Sequence, residues 1–117
     1  MPRLFSYGSL RLGDVQLATF GRLLGGHPDL IESFELVAPT TGSPHANVVP
    51  SATPGSRVAG MVFHVTDSEL VAADEYERRD GYVRVSVRLA SGSEAWVYVD
   101  ARSVQGRNDG RDRAHQR

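Results

Sequence analysis

Two short stretches of the chain hold side chains able to do chemistry. Asp74, Glu75 and Glu77 crowd carboxyls into one segment, and the loop Tyr7, Gly8, Ser9, Leu10 follows an apolar stretch near the start. A carboxyl can take up a proton and later return it, and to work near pH 7 its pKa should be raised. Partial burial beside apolar and aromatic groups has that effect, and Tyr76 and Tyr82 are close enough in sequence to supply such surroundings. In the loop, Gly8 is able to adopt backbone angles that other residues avoid and lets the main chain approach a ligand. Successive N–H groups of such a loop bind a carboxylate or stabilise an oxyanion, and Ser9 adds a hydroxyl. Each stretch has a plainer reading. Glu77, flanked by Arg78 and Arg79, also fits a surface carboxylate, and Gly8 also fits a tight turn after a strand.

The remaining candidates are weaker. No His and Asp spacing accompanies Ser9 as a nucleophile, although triad partners need not be near in sequence. His27, His45, His64 and His115 lack ligand spacing, and His64, in an apolar stretch, reads as a satisfied core histidine. No metal and no cofactor are implied. Arg84 can pair with a substrate carboxylate or with Asp80. Tyr82 can line a pocket or simply pack, and Trp96 and Tyr98 fit cross-strand packing.

Composition narrows the classes. A chain of 117 residues fits one domain with a single core, and its net charge of −1 gives no broad field to attract nucleic acid or an anionic membrane. A small-molecule partner is the expectation, with monomer and homodimer both open. The absence of cysteine removes disulfides, thiolate nucleophiles and cysteine-based zinc sites. All 13 basic side chains are arginine, which removes a Schiff-base lysine and a lysine phosphate cradle. The start lacks an apolar run fit for a signal peptide, and nothing later approaches the ~20 residues of a membrane span, so a cytoplasmic protein is expected.

The elements that must position these groups follow from pattern. Residues 4–7 read as a short buried strand ending at Gly8. From Asp14, a plausible N-cap, apolar positions recur at helical spacing until Gly25 and Gly26 stop them. Residues 34–37 read as a strand, and 39–57, with Pro39, Pro44, Pro50 and Pro54, as a long irregular loop that either covers a pocket or is simply flexible. The nearly continuous apolar run 58–65 predicts a strand buried on both faces. Thr66 and Glu69 have capping-box spacing and open a helix over 67–77. Alternation over 82–89, a turn at 91–93 and a return over 95–99 predict a hairpin. Residues 103–117 are polar and expected to be a disordered tail, leaving a domain over 1–102. The order of elements points to an α+β domain with a curled sheet.

With these elements in place, the chain resembles the gamma-glutamylcyclotransferase-like superfamily. The strand ending in Tyr7, Gly8, Ser9 and Leu10 matches its YGSL opening. The run Val58, Ala59, Gly60, Met61, Val62, Phe63, the acidic helix end Asp74 to Glu77, the segment from Tyr82 to Val85, and the strand from Trp96 to Val99 follow in the same order. The resemblance implies a small mixed β-barrel with short flanking helices. It also implies an enzyme in which the α-amine of a gamma-glutamyl amide attacks its own side-chain carbonyl, releasing 5-oxoproline and a free amine. Glu77 would be the general base and acid, with Asp74 and Glu75 as neighbouring alternatives. Tyr7, Gly8, Ser9, Leu10, Tyr82 and Arg84 would bind the substrate. A non-catalytic binding or scaffold domain is the rival from another class, and hydrolysis by water a third option. The amine half of the substrate stays undefined, because 39–57 does not align with the family pattern.

Overall fold

Strand β1 (Arg3–Ser6) buries Leu4 and Phe5 on opposite faces, which requires cover on both sides and places it centrally. The structure is a computed structural model and describes residues 1–39 and 46–103. β1 lies between β5 (Arg57–His64), antiparallel to it, and β7 (Glu94–Asp100), parallel to it. β2 (Gly26–Glu32) flanks β5 and β6 (Tyr82–Arg88) flanks β7, giving the order β2-β5-β1-β7-β6. The two edges meet: Ile31 and Leu89 form a bridge, and the Ala90 amide donates to the Leu30 carbonyl at 2.8 Å. The sheet therefore curls almost into a barrel.

One core cluster, with Phe5, Ile31, Val62, Leu89 and Val97, fills the inside of the curl, and Val48 plugs it. A second, with Leu4, Leu10, Phe63, Leu70 and Ala73, lies between the sheet and the helices α1 (Gly13–Phe20) and α2 (Asp67–Arg78). Gly60 permits the close approach of β5 to β1. A Cβ there would stand 2.4 Å from the Ser6 carbonyl oxygen and 2.5 Å from the Phe5 ring. The hairpin β6–β7 and the capping box of α2 form where the sequence predicts them. The Thr66 hydroxyl accepts from the Glu69 amide at 3.1 Å, and the Glu69 carboxylate accepts from the Thr66 amide at 2.9 Å.

Several expectations are corrected. α1 begins after Leu12 with no side-chain cap, so Asp14 sits in its first turn rather than capping it, and the helix ends at Gly21, which takes φ 75°. Gly25 and Gly26 come too late to be its stop. Residues 26–32 form β2, hidden from pattern reading by Pro28, which an edge strand tolerates. The segment 39–57 is not wholly irregular, because β4 (Asn47–Pro50) pairs antiparallel with β3 (Phe34–Val37). Residues 40–45 of that segment lie outside the described residues. β5 is not buried throughout: His64 is exposed, its ring centroid 6.4 Å from that of His27, so it is no core histidine. Of the expected tail, Ser103 donates its hydroxyl to the Asp100 carbonyl at 2.8 Å, and 104–117 lie outside the described residues.

Candidate active site

A cavity of about 140 Å³ opens where β1 ends, and it gathers residues from both ends of the chain. Tyr7, Gly8, Ser9 and Leu10 form one wall, Glu77 and Asp80 a second, and Tyr82 with Tyr98 a third. β1 lies between two longer neighbours, so the chain leaving it must turn at the sheet's rim, and residues 9–11 do so in a single 3-10 turn.

Glu77 reaches this cavity by helical arithmetic. Leu70, Ala73 and Glu77 recur at the spacing of one helix face, and the first two are core residues, so the third is carried inward with them. Burial, with the like charge of Asp80 adding to it, pushes the Glu77 carboxyl up to about 7. Both causes disfavour the ionised form. A carboxyl so tuned exchanges protons near neutrality.

In the loop, the Gly8 amide donates to the Ser6 hydroxyl oxygen at 3.2 Å and is therefore spent inside the protein. The amides of Ser9 and Leu10 stand at the start of the 3-10 turn, where no carbonyl of the turn reaches them. Gly8 itself has φ −131°, an angle open to any residue, so the wider range of φ that glycine allows is not used here. What it supplies is room, since a Cβ at Gly8 would meet nothing within 4 Å. Ser9 and Tyr76 share a hydrogen bond of 2.8 Å between their hydroxyls, tying the loop to α2. Buried Gln16 braces the other side, its amide nitrogen donating to the Leu10 carbonyl at 2.9 Å and its oxygen accepting from the Leu24 amide at 2.9 Å.

The tyrosines frame the space. The Tyr7 hydroxyl donates to the Tyr98 carbonyl at 2.7 Å, and burial, joined by the negative field of Tyr82, Glu77 and Asp100, raises its pKa well above the usual phenol value. Burial likewise pushes Tyr82 up to about 12, with Asp100, Glu77 and Asp80 contributing, and its hydroxyl donates to the Ala46 carbonyl. Both rings stay neutral at physiological pH. Ala46 lies on the cavity wall and the Asn47 side-chain oxygen accepts from the Asp100 amide at 2.9 Å, so the chain entering β4 lines the site.

Of the residues singled out from sequence, Tyr7, Gly8, Ser9, Leu10, Glu77 and Tyr82 meet at this cavity. Arg84 does not. It pairs with Asp74 rather than Asp80, at 2.9 and 3.1 Å, and its guanidinium carbon lies 4.4 Å from the Trp96 ring centroid. It lines a separate concavity with Arg78 and Trp96. Asp74 faces that side, and Glu75 is exposed in a pair with Arg78 at 3.3 Å. Pattern reading missed Ser6, Ala46, Asp80 and Tyr98 as wall residues. Hairpin register was the available signal for Tyr98, because it sets Tyr98 opposite Arg84 and Tyr82 opposite Asp100. Among the described residues no three His, Asp or Glu side chains come together to hold a metal ion, and no helix is long and apolar enough to cross a membrane.

Comparison with known proteins gives a consistent picture. Residues 4–116 match the family described as Gamma-glutamyl cyclotransferase, AIG2-like. The gamma-glutamylcyclotransferase family protein YtfP of Escherichia coli K12 is 33% identical over 108 residues, covering 89% of this chain and 87% of that protein. Its counterpart in Citrobacter rodentium is also 33% identical, covering 89% and 86%. Among solved structures, an Arabidopsis thaliana protein determined in solution superposes with a TM-score of 0.74 at 24% identity, over 87% of this chain and 63% of that one. A structure named gamma-glutamyl cyclotransferase superposes with a TM-score of 0.61 at 22% identity, over 83% and 64%. The chain thus spans just under two thirds of these two solved chains, and at such identities they share its fold.

Proposed function

Because the chain belongs to the AIG2-like gamma-glutamyl cyclotransferase family, we propose that it cyclises the gamma-glutamyl part of a small amide to 5-oxoproline and frees the amine. The observation that carries this reading is the Glu77 carboxyl, partly buried, poised at about 7 and facing the turn after β1 across one cavity. An α-ammonium cannot attack until it loses a proton, and the departing nitrogen must gain one. Glu77 takes the proton from the ammonium. The freed amine attacks the γ-carbonyl carbon, closing a five-membered ring and putting negative charge on the oxygen. Glu77 then delivers its proton to the departing nitrogen as the C–N bond breaks. The surplus proton on the ring nitrogen follows to the amine product, so no co-reactant is consumed.

Ring closure is intramolecular, so holding amine against carbonyl is itself a gain of several kcal/mol. The Ser9 and Leu10 amides suit the substrate carboxylate or the oxyanion, since the cavity walls carry no cationic side chain among the described residues. The small volume of the cavity favours a folded glutamyl chain over an extended one.

The test is incubation with gamma-glutamyl amino acids and gamma-glutamyl amines, with 5-oxoproline read by mass spectrometry. The same compounds acetylated on the α-nitrogen must give no product. N-acetylglutamate appearing from the acetylated compounds would replace cyclisation by hydrolysis. Saturable binding without any product would favour a scaffold domain.

A further inference from the structure

We propose that Asp74 is the positioning residue for Glu77, a reading that rests on the catalytic part assigned to Glu77 above. The two stand three residues apart on α2 and are neighbours on its surface. Beyond Ala73, α2 has no fully buried side chain, and apolar packing of its last turn, which carries Glu77, is limited to the partly buried Tyr76. Polar ties take over. Arg84 of β6 donates through Nε and Nη2 to the two oxygens of Asp74 at 2.9 and 3.1 Å, and the Tyr98 hydroxyl of β7 donates to Oδ1 at 2.7 Å. The bidentate fork sets orientation as well as distance, and stacking on Trp96 keeps the guanidinium plane from turning away. The side chains of the pair are 28% and 23% exposed, so water screens it only in part. Tyr98 also carries the link to the opposite wall, because its carbonyl accepts from Tyr7. A continuous run of contacts thus joins the loop after β1 to Tyr98, Asp74 and the turn bearing Glu77.

An ion pair has a second property in this place. It holds the helix without adding net charge beside Glu77, whereas either partner alone would leave a charge there. The other groups facing Glu77 are Asp80 just beyond α2, Tyr7 from the loop, Tyr82 from β6 and Tyr98 from β7; all are common to the Asp74 and Arg84 variants, and only Tyr98→Phe alters one of them.

The test compares Asp74→Asn, Arg84→Met, their double variant and Tyr98→Phe in the full chain. Two readouts are taken: NMR titration of the Glu77 carboxyl, assigned by difference with Glu77→Gln, and kcat and KM on γ-glutamyl-L-alanine. Asp74→Asn should lower the Glu77 midpoint and Arg84→Met raise it, each by about half a pH unit or more, with the double variant close to wild type. A misplaced carboxyl should cost roughly tenfold or more in kcat in all three, with KM within about twofold. Tyr98→Phe removes one hydrogen bond and keeps both charges, so it remains informative should the charge variants fail to fold. It should lower kcat several-fold and leave the midpoint in place. Midpoints drifting together toward the ordinary carboxylate value would mean that the pair merely supports the fold, and an unmoved midpoint with unmoved kcat would mean no coupling at all; either overturns the proposal. Opposed midpoint shifts in a protein that turns nothing over would uphold the placement while removing the catalytic reading.

Discussion

Replacing Glu77 by Gln should sharply reduce turnover and at the same time stabilise the protein, and the second effect has a definite pH dependence. In the folded protein the carboxyl titrates at about 7, against an ordinary value of 4.5. Ionising it there costs on the order of 3 kcal/mol more than in the unfolded chain, and its partial contact with solvent makes that figure an upper one. The sign follows from proton binding. A carboxyl whose pKa is raised on folding contributes its stability below the unfolded value and loses it as pH rises through the folded one. Wild type and Glu77→Gln should therefore be alike below about pH 4, diverge between about pH 4.5 and 7, and differ by roughly 2–3 kcal/mol at pH 8 in favour of the glutamine. For a domain of this size that is about 10 °C or more in Tm. The single tryptophan, Trp96, reports urea unfolding at each pH. The difference between the two proteins is the quantity to follow, since Asp29, Glu69 and Asp100, whose pKa values are lowered, shape both curves alike in acid. Loss of the general acid–base group should cost about 100-fold or more in kcat, and the wild-type rate should rise with pH to a midpoint near 7. Equal stabilities at pH 8, or a less stable glutamine variant, would mean that Glu77 is well solvated or neutralised by a cation, and the reasoning about the site would fail with it.

Gly8→Val puts a side chain into open space and not into protein, so Tm should hold within a few degrees while KM rises or turnover disappears; a large loss of Tm with intact kinetics would contradict the reading of Gly8 as room for substrate. Gly60→Ala drives a Cβ into the Ser6 carbonyl and the Phe5 ring, and overpacking against backbone should cost about 1–3 kcal/mol or more in urea unfolding, with the turn after β1 displaced. Thr66→Ala removes the N-cap oxygen of α2 and should cost ~1 kcal/mol, read as a Tm lower by several degrees. Glu69, held down to about 2 chiefly by its hydrogen bond with Arg22, contributes stability above its ordinary pKa that is lost as pH falls toward 2; Glu69→Gln should accordingly flatten the acid limb of the unfolding profile below about pH 4.5.

By itself the sequence determined what depends on neighbours in the chain. The capping box at Thr66 and Glu69, the alternation of the hairpin and the short first strand each follow from local backbone chemistry, and they appeared where expected. Helical spacing from Leu70 and Ala73 reaches Tyr76 or Glu77, and spacing alone did not choose between them. The strand carrying Pro28 was not legible, since a proline argues against a strand until the edge of a sheet is known. Nor was β4, whose Val48 owes its burial to the interior of the curl rather than to any period in 39–57. Gly8 and Arg84 teach the same lesson at the site: one needed no unusual angle and the other found Asp74 instead of a ligand, and both facts depend on what lies across the fold. Only the tertiary structure decided which carboxyl would be left without a cation among the described residues. Asp74 and Glu75 meet Arg84 and Arg78, whereas Glu77 meets burial and the charge of Asp80, and its proton affinity rises for that reason. Desolvation and charge pairing are properties of what surrounds a group in space, and the chain brings those surroundings together only on folding.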